Sequence, residues 1–417
     1  MKAEDNKLPE NDHRRLGQEL GLFAFSDTVG KGLPLWTAKG STIRRELERF
    51  IVDEELKRGY EHVHTPELAK IDLYKKSGHY PFYQDSMYAP IKIDEEEFML
   101  RPMTCPHHFE LYLSRPHSYR ELPIRIAELA KLYRYELSGV LTGLVRTRSF
   151  CLSDAHIICA NKDQAMAEVR GALDLISFAV ETLGLEKGKD YSYRLSLGNR
   201  TDAEKYYKDD TAWADAEDAL RQVLKGQDVP FTEAENEAAF YGPKIDIQMK
   251  DVKGKEDTAF TVQYDFVMPK RFKLVYTNAA GQDQEALVIH RSSIGSIERI
   301  VAFLIEKYHG SFPTWLAPTQ AMILPITEKE NDYAQKILAE LKANNIRAEI
   351  NLDSETLGKK IKLAKGQKYP YLLVIGGKEV ESNQITVEPR ADRPKLGTIS
   401  LVKFIEHIKK EIVERTL

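Results

Sequence analysis

Cysteine is scarce in this chain. Cys105, Cys151 and Cys159 are the three that occur, and none forms a Cys-x-x-Cys pair, which argues against a disulfide framework or a local zinc ribbon and fits a reducing, cytoplasmic compartment. Long apolar runs are missing too: no stretch approaches the ~20 residues of a membrane span, and the first residues are polar and mixed in charge, without the apolar core of a signal peptide. Charge of one sign is likewise lacking. The formal net charge of -4 leaves no global electrostatic footprint for nucleic acid, so a polyanion partner would have to be held by local patches. Neither a Gly-x-x-x-x-Gly-Lys-Ser/Thr loop nor a Gly-x-Gly-x-x-Gly fingerprint is present, so any nucleotide chemistry rests on another device.

What is there suffices for two or three packed domains: 417 residues, 42% hydrophobic and 30% charged, too apolar for disorder. After a polar leader over 1–12, Ser41 is placed to cap a helix whose apolar residues Ile43, Leu47, Phe50 and Ile51 follow helical spacing until Gly59. Tyr60 to Thr65 alternates like a strand ended by Pro66. From Leu132 to Ile158 the pattern is strand, glycine-punctuated loop, strand, with Arg134 and Glu136 sharing a face of the first strand and Arg146 and Arg148 a face of the second. Amphipathic helices are expected over Asp163 to Leu183 and Tyr206 to Leu224, and strands over Phe240 to Ile247, Phe260 to Val267 and Ala286 to His290. The last leads through Gly295 into a helix buried along Ile297, Ile300, Val301, Leu304 and Ile305.

Pro313 and Pro318 mark a boundary. Beyond it, strands at Ala321 to Ile326, Arg347 to Leu352 and Tyr371 to Ile375 alternate with helices at Asp332 to Ala343 and Leu357 to Lys365, and Leu401 to Arg415 closes the chain as a helix. That rhythm predicts a separate α/β domain with a largely parallel sheet. Between Lys359 and Lys378 the basic residues Lys359, Lys360, Lys362, Lys365, Lys368 and Lys378 occur with no acidic residue among them, a run that ordinarily marks a solvated helix face.

Phosphate chemistry needs positioned positive charge more than a nucleophile. Arginine suits that task, because its planar fork grips phosphate bidentately and keeps its charge. Arg134, Arg146 and Arg299 are the candidates, although a lone arginine on a strand is usually a surface ion pair. Cys105, His156 and His290 could together bind one Zn²⁺ with a fourth position open. Taken singly, each is as well explained as a buried core residue.

Their neighbours carry a resemblance. Leu132-Tyr133-Arg134-Tyr135-Glu136 with Gly143-Leu144-Val145-Arg146-Thr147-Arg148 is similar to motif 2 of the class II aminoacyl-tRNA synthetases, and Gly295-Ser296-Ile297-Glu298-Arg299 to motif 3. Pro102-Met103-Thr104-Cys105-Pro106, Ala239-Phe240-Tyr241-Gly242-Pro243-Lys244, Thr261-Val262-Gln263-Tyr264-Asp265-Phe266 and Phe312-Pro313-Thr314-Trp315 resemble signatures of the threonyl-tRNA synthetase family, in order, from about Asp12 to the C-terminus. The resemblance implies an α/β (α+β) fold: a class II antiparallel sheet with flanking helices over 13–317, followed by a smaller α/β anticodon-binding domain over 318–417. It implies ATP, L-threonine and tRNA-Thr as partners, Mg²⁺ with the ATP, a homodimer and no membrane. Arg134 would bind the α-phosphate, Glu136 would sit beside nucleotide and Mg²⁺, Arg146 would hold the γ-phosphate end, and Arg299 would meet the phosphates from the other side. Lys244 and Gln263 would line the reaction centre, Asp154 and Tyr241 would contact threonine, and Cys105, His156 and His290 would hold a zinc that reads threonine's amino and hydroxyl groups. Lys362, Glu379 and Arg390 would contact the anticodon.

A site that must coordinate a hydroxyl rejects valine strongly, whereas serine differs only by a methyl, worth roughly 1–3 kcal/mol. Serine mischarging is therefore expected. Family members often carry N-terminal editing domains, and the expectation here is a chain without one. There are departures: Leu152 stands where a polar Gln is familiar, Thr104 replaces Asn, and Glu388 aligns with an anticodon-contacting arginine. In the pair His107-His108, the first occupies a position where glycine is familiar, and Cys105 remains the expected ligand. A prolyl- or seryl-specific enzyme and a non-catalytic paralogue are the competing readings; the ligand triplet argues against the prolyl case, and the retained Arg134, Arg299 and three candidate ligands argue against the paralogue.

Overall fold

The computed structural model describes residues 8–417, so most of the leader expected over 1–12 lies outside the described residues. The chain forms two compact units: one of residues 25–34 and 48–303, the other of 304–417 with 35–47 and the described residues up to Ala24.

An eight-stranded sheet organises the first unit. Its strands are β1 (Glu61–His62), β2 (Ile124–Tyr133), β3 (Ser149–Cys159), β4 (Tyr191–Ser196), β5 (Phe231–Ala234), β6 (Lys244–Lys250), β7 (Glu256–Asp265) and β8 (Leu287–Ser296), in spatial order β5-β4-β6-β7-β8-β3-β2-β1. The outer pairs β5/β4 and β1/β2 are parallel and the six inner strands antiparallel. One face of the sheet is covered by α1 (Lys162–Thr182), which presents Ala165, Val169, Ala172, Leu173, Ile176 and Val180 as a continuous apolar stripe at 3.6-residue period and packs on β8. Asn161 caps its start by accepting from the Gln164 N–H. A second helix, α2 (Asp210–Gly226), packs against α1 and β6. The opposite face of the sheet is thereby left to build a cavity. The largely antiparallel sheet with flanking helices expected from the sequence is observed.

Several boundaries differ from the sequence reading. The N-terminal helix spans Ala38–Lys57, with Thr37 rather than Ser41 at its head: the Thr37 hydroxyl accepts from Gly40 N at 3.2 Å. The strand expected over Tyr60 to Thr65 shrinks to β1. Arg134, Glu136, Arg146 and Arg148 lie in the loop between β2 and β3, not on the strands. One ladder bond, Arg134 N to Arg148 O at 3.0 Å, continues past the strand ends, which is why the alternation reads on into the loop. Arg148 does not join the other two arginines: its guanidinium donates to the carbonyls of Glu136 and Lys31 and stacks 5.2 Å from the Tyr135 ring.

In the second unit a five-stranded sheet comprises β9 (Ala321–Pro325), β10 (Ala348–Ile350), β11 (Tyr371–Ile375), β12 (Ile385–Pro389) and β13 (Gly397–Ile399), ordered β10-β9-β11-β12-β13. Only β10, β9 and β11 are mutually parallel; β12 and β13 add antiparallel, so the largely parallel sheet of the sequence reading is corrected to a mixed one. Alternation along β9 and β11 sorts Ile323 and Leu373 into a cluster with Leu341, Phe404 and Ile408, and Met322, Leu324 and Leu372 into another with Ala364. Each face of the sheet therefore buries its own helices.

The first unit buries an ion pair. Arg291 Nη1 on β8 donates to Glu55 Oε1 at 2.6 Å, Ser293 Oγ reaches the same oxygen at 2.7 Å, and His62 Nε2 lies 2.7 Å from Oε2. Burial alone would raise the Glu55 carboxyl, but Arg291, His62 and Ser293 outweigh it and hold it at about 2. With a folded value below the ordinary 4.5, this contribution to stability is complete above about pH 4.5 and disappears as pH falls towards 2, roughly 3 kcal/mol in all. Replacing Glu55→Gln strands the Arg291 cation and should cost about 3–5 kcal/mol, read as a lower urea midpoint at pH 7. The difference from wild type should shrink as the pH of the titration is lowered through 4.

Candidate active site

Cross-strand register builds the cavity floor. On β3 and β8, His156 faces His290 and Asp154 faces Ser292; on β8 and β7, His290 faces Gln263 and Ser292 faces Thr261; on β7 and β6, Gln263 faces Lys244 and Thr261 faces Asp246. Because side chains alternate with period 2, the sheet lays down two rows, His156-His290-Gln263-Lys244 and Asp154-Ser292-Thr261-Asp246. Beyond Ser292 the β8 register shifts before Ser296. Gly295 takes φ +65° there, and a Cβ would sit 2.0 Å from the Ala259 carbonyl oxygen, so only glycine lets the strand pass this close to β7. β8 then runs without a loop into α3 (Ile297–Tyr308), which carries Arg299.

These rows floor a cavity of about 530 Å³ lined by every residue expected to meet ATP, threonine or metal: Cys105, Arg134, Glu136, Arg146, Asp154, His156, Tyr241, Lys244, Gln263, His290 and Arg299. Cys105 arrives from the first turn of a helix, Cys105–Tyr112. One ligand atom each from Cys105, His156 and His290 lie within 4.8 Å of one another, all three residues buried. A thiol and two imidazoles are the donors zinc prefers, and three protein ligands leave a position open. Burial pushes the Cys105 thiol up, helped by Asp154 and Asp265, and pushes the His156 imidazolium down, helped by His290 and His108. The Tyr241 ring stacks on His290 with centroids 4.8 Å apart, and its hydroxyl donates to Gln263 Oε1 at 2.5 Å. Gln263 in turn donates to Thr261 Oγ1 at 3.0 Å.

Arg134, Arg146, Arg299 and Lys244 make the remaining wall cationic. Arg134 is aimed by the Pro102 carbonyl at 3.3 Å and lies 5.1 Å from the Phe150 ring centroid. Arg299 donates to the carbonyls of Val145 and Thr258. Desolvation lowers the Arg299 guanidinium to about 10; Arg134 and Arg146 push the same way and Asp257 opposes them. Lys244 Nζ donates to Asp246 Oδ2 at 2.7 Å. A polyanion entering this wall would relieve the mutual repulsion of its cations.

Sequence reasoning missed Ser292 and Thr261, which share the cavity lining; the available signal was position, two residues from His290 and Gln263 on strands that alternate. It also passed over Asp265, whose Oδ2 lies 2.7 Å from His290 Nε2. The expected anticodon residues lie in the second unit. Lys362 is exposed on the helix Leu357–Gly366. Glu379 binds the Gly376 N–H and the Thr386 hydroxyl, and Arg390 donates to Asp392 and to the carbonyls of Lys368 and Phe312. Within the basic run Lys360 is not solvated: it is buried and donates to the Pro325 carbonyl at 3.0 Å.

Residues 88–308 match the family described as tRNA synthetase class II core domain (G, H, P, S and T), and 320–411 match the family described as anticodon binding domain. A threonine–tRNA ligase of Geobacillus sp. (strain WCH70) is 47% identical over 404 residues, and one of Staphylococcus carnosus (strain TM300) 48% over 405; each match takes in 97% of this chain. The chain spans 62% of the length of these curated relatives. The crystal structure described as the RNA binding domain of threonyl-tRNA synthetase from Cryptosporidium parvum superposes with a TM-score of 0.89 at 34% identity, covering 96% of this chain and 98% of that one. The core-domain match over more than half of the chain, and 34% identity to a threonyl-tRNA synthetase structure of which 98% is covered, establish that the chain belongs to the class II aminoacyl-tRNA synthetases, in the threonyl-tRNA synthetase family.

Proposed function

We propose that the chain is an ATP-dependent threonine–tRNA ligase of the cytoplasm, acting as a homodimer, with catalytic residues within 13–317 and anticodon-binding residues within 318–417. The observation that carries this reading is the convergence of a Cys-His-His ligand set and the motif arginines on one cavity. In the first step the threonine carboxylate attacks the ATP α-phosphorus, forming threonyl-adenylate and releasing pyrophosphate. In the second, a ribose hydroxyl of the tRNA-Thr terminus attacks the acyl carbon and AMP leaves.

Arg134, aimed from the Pro102 carbonyl, orients the α-phosphate and stabilises charge as the phosphorus becomes five-coordinate. Arg299 meets the phosphates from the opposite wall, Arg146 holds the γ end, and Glu136 stands beside the nucleotide and its Mg²⁺. Lys244, anchored by Asp246, and Gln263, anchored by Tyr241 and Thr261, flank the reacting carboxylate. Asp154 faces the threonine ammonium. Cys105, His156 and His290 would hold one zinc, which when bound would supply Lewis-acid coordination to threonine's amino and hydroxyl groups. Valine, lacking the hydroxyl, is excluded far more strongly than serine, which lacks only the methyl. In the second unit, exposed Lys362 offers its charge to RNA, and Glu379 and Arg390 flank the adjoining strand β12.

Exchange of pyrophosphate into ATP should be strong with threonine, weaker with serine and absent with valine and proline, with about one zinc per chain as a single three-ligand site requires. Absence of exchange with every amino acid would favour the non-catalytic paralogue. Cys105→Ala should lose both zinc, measured by elemental analysis, and threonine-dependent exchange. Arg134→Ala should retain zinc while the exchange kcat falls about 10²–10³-fold, the usual loss on removing one transition-state donor.

A further inference from the structure

Behind the ligand set runs a chain of buried polar groups. His156 Nδ1 lies 2.8 Å from His108 Nδ1, and His108 Nε2 lies 3.2 Å from Glu128 Oε2. Glu128 also accepts from Arg101 Nη2 at 2.8 Å, from the Thr65 hydroxyl at 2.7 Å and from Thr65 N at 3.3 Å. The rings of His108 and His156 stand edge to face, with centroids 4.8 Å apart. His108, Glu128, Arg101 and Thr65 are all buried.

Hydrogen-bond direction can be followed along this chain. Glu128, paired with Arg101 and accepting at both oxygens, is an acceptor only. His108 must therefore carry its proton on Nε2, and as a neutral ring it then has a bare Nδ1 that can only accept. The nitrogen facing it, His156 Nδ1, must donate, which leaves His156 Nε2 with a free lone pair. His290 is oriented in the complementary sense: Asp265 Oδ2 takes its Nε2–H, while Asp265 Oδ1 accepts from the N–H groups of Val267 and Met268, and Nδ1 is the bare nitrogen. His108 spends both ring nitrogens on this relay. The adjacent His107 has no hydrogen-bond partner at either nitrogen among the described residues.

We propose that His108, backed by Glu128 and Arg101, is a positioning residue that locks His156 in the Nδ1–H tautomer and so presents Nε2 to the metal. This rests on the zinc reading above. Groups that orient a metal-binding histidine through its second nitrogen typically change metal affinity 10–100-fold when removed.

The test is zinc affinity, measured on the full chain by competition with a chromophoric chelator, for wild type, Cys105→Ala, His107→Ala, His108→Phe and His108→Gln. The expected result is tight binding by wild type and His107→Ala, loss in Cys105→Ala, a 10–100-fold weakening in His108→Phe and partial recovery in His108→Gln, whose amide can still accept from His156. Wild-type affinity in His108→Phe would overturn the proposal, and so would equal weakening by His107→Ala and His108→Phe, which would assign the effect to helix packing. Failure of wild type itself to bind zinc would instead remove the metal reading. Nitrogen-15 spectra of histidine-labelled, metal-free wild type provide a readout that needs no variant: His156 as the Nδ1–H tautomer is expected, and the Nε2–H tautomer would overturn the proposal.

Discussion

The register between β3 and β8 is the constraint on which the site depends. His156 and His290 are cross-strand partners, and a slip of one residue would turn every side chain of the shifted strand to the other face. The ligand row would then point into α1 and the apolar stripe would point into the cavity. Burial of Ala155 and Ile157 on β3 and of Ile289 on β8 penalises that slip, and the Glu55–Arg291 pair fixes β8 from behind. The hydrophobic packing of one face therefore sets the chemistry of the other.

The cavity has two electrostatic ends. Cys105, His156 and His290 are buried together, and burial disfavours the charged forms of the Cys105 thiol and the His156 imidazole, whereas Arg134, Arg146, Arg299 and Lys244 gather positive charge along the remaining wall. Between them lies the row containing Asp154, Ser292 and Thr261. An elongated ligand with a metal-binding head and an anionic tail matches this polarity, and a symmetric one does not.

Much of this was legible in the sequence for identifiable reasons. Tyr371–Ile375 was placed to the residue because a buried strand between Pro370 and Gly376 has sharp boundaries. The helical stripe Ile297, Ile300, Val301, Leu304 and Ile305 is buried as its period requires. β12 and β13 escaped notice because they are short and carry little of the core, with only Ile385 and Val387 buried. The loop position of Arg134 and Glu136 was hidden by a ladder bond that outlasts the strand. The cavity residues themselves were legible only through family motifs, since their convergence depends on pairing between strands distant in sequence. His108 could not be read at all from spacing: its importance lies in which nitrogen faces His156, a matter of three-dimensional orientation.

The unbroken passage from β8 into α3 has a further consequence. His290 and Arg299 sit on one continuous strand-to-helix segment, interrupted by the register shift between Ser292 and Ser296 that contains Gly295. The segment acts as a gauge, fixing how far the metal-facing end of the cavity lies from the arginine that follows. Loops around the cavity rim can lengthen or shorten and leave that spacing intact. A one-residue insertion or deletion within β8 would turn the side chains beyond it to the opposite face, and one between Ile297 and Arg299 would rotate Arg299 by ~100° about the helix axis, so this short stretch admits changes of side chain but not of length.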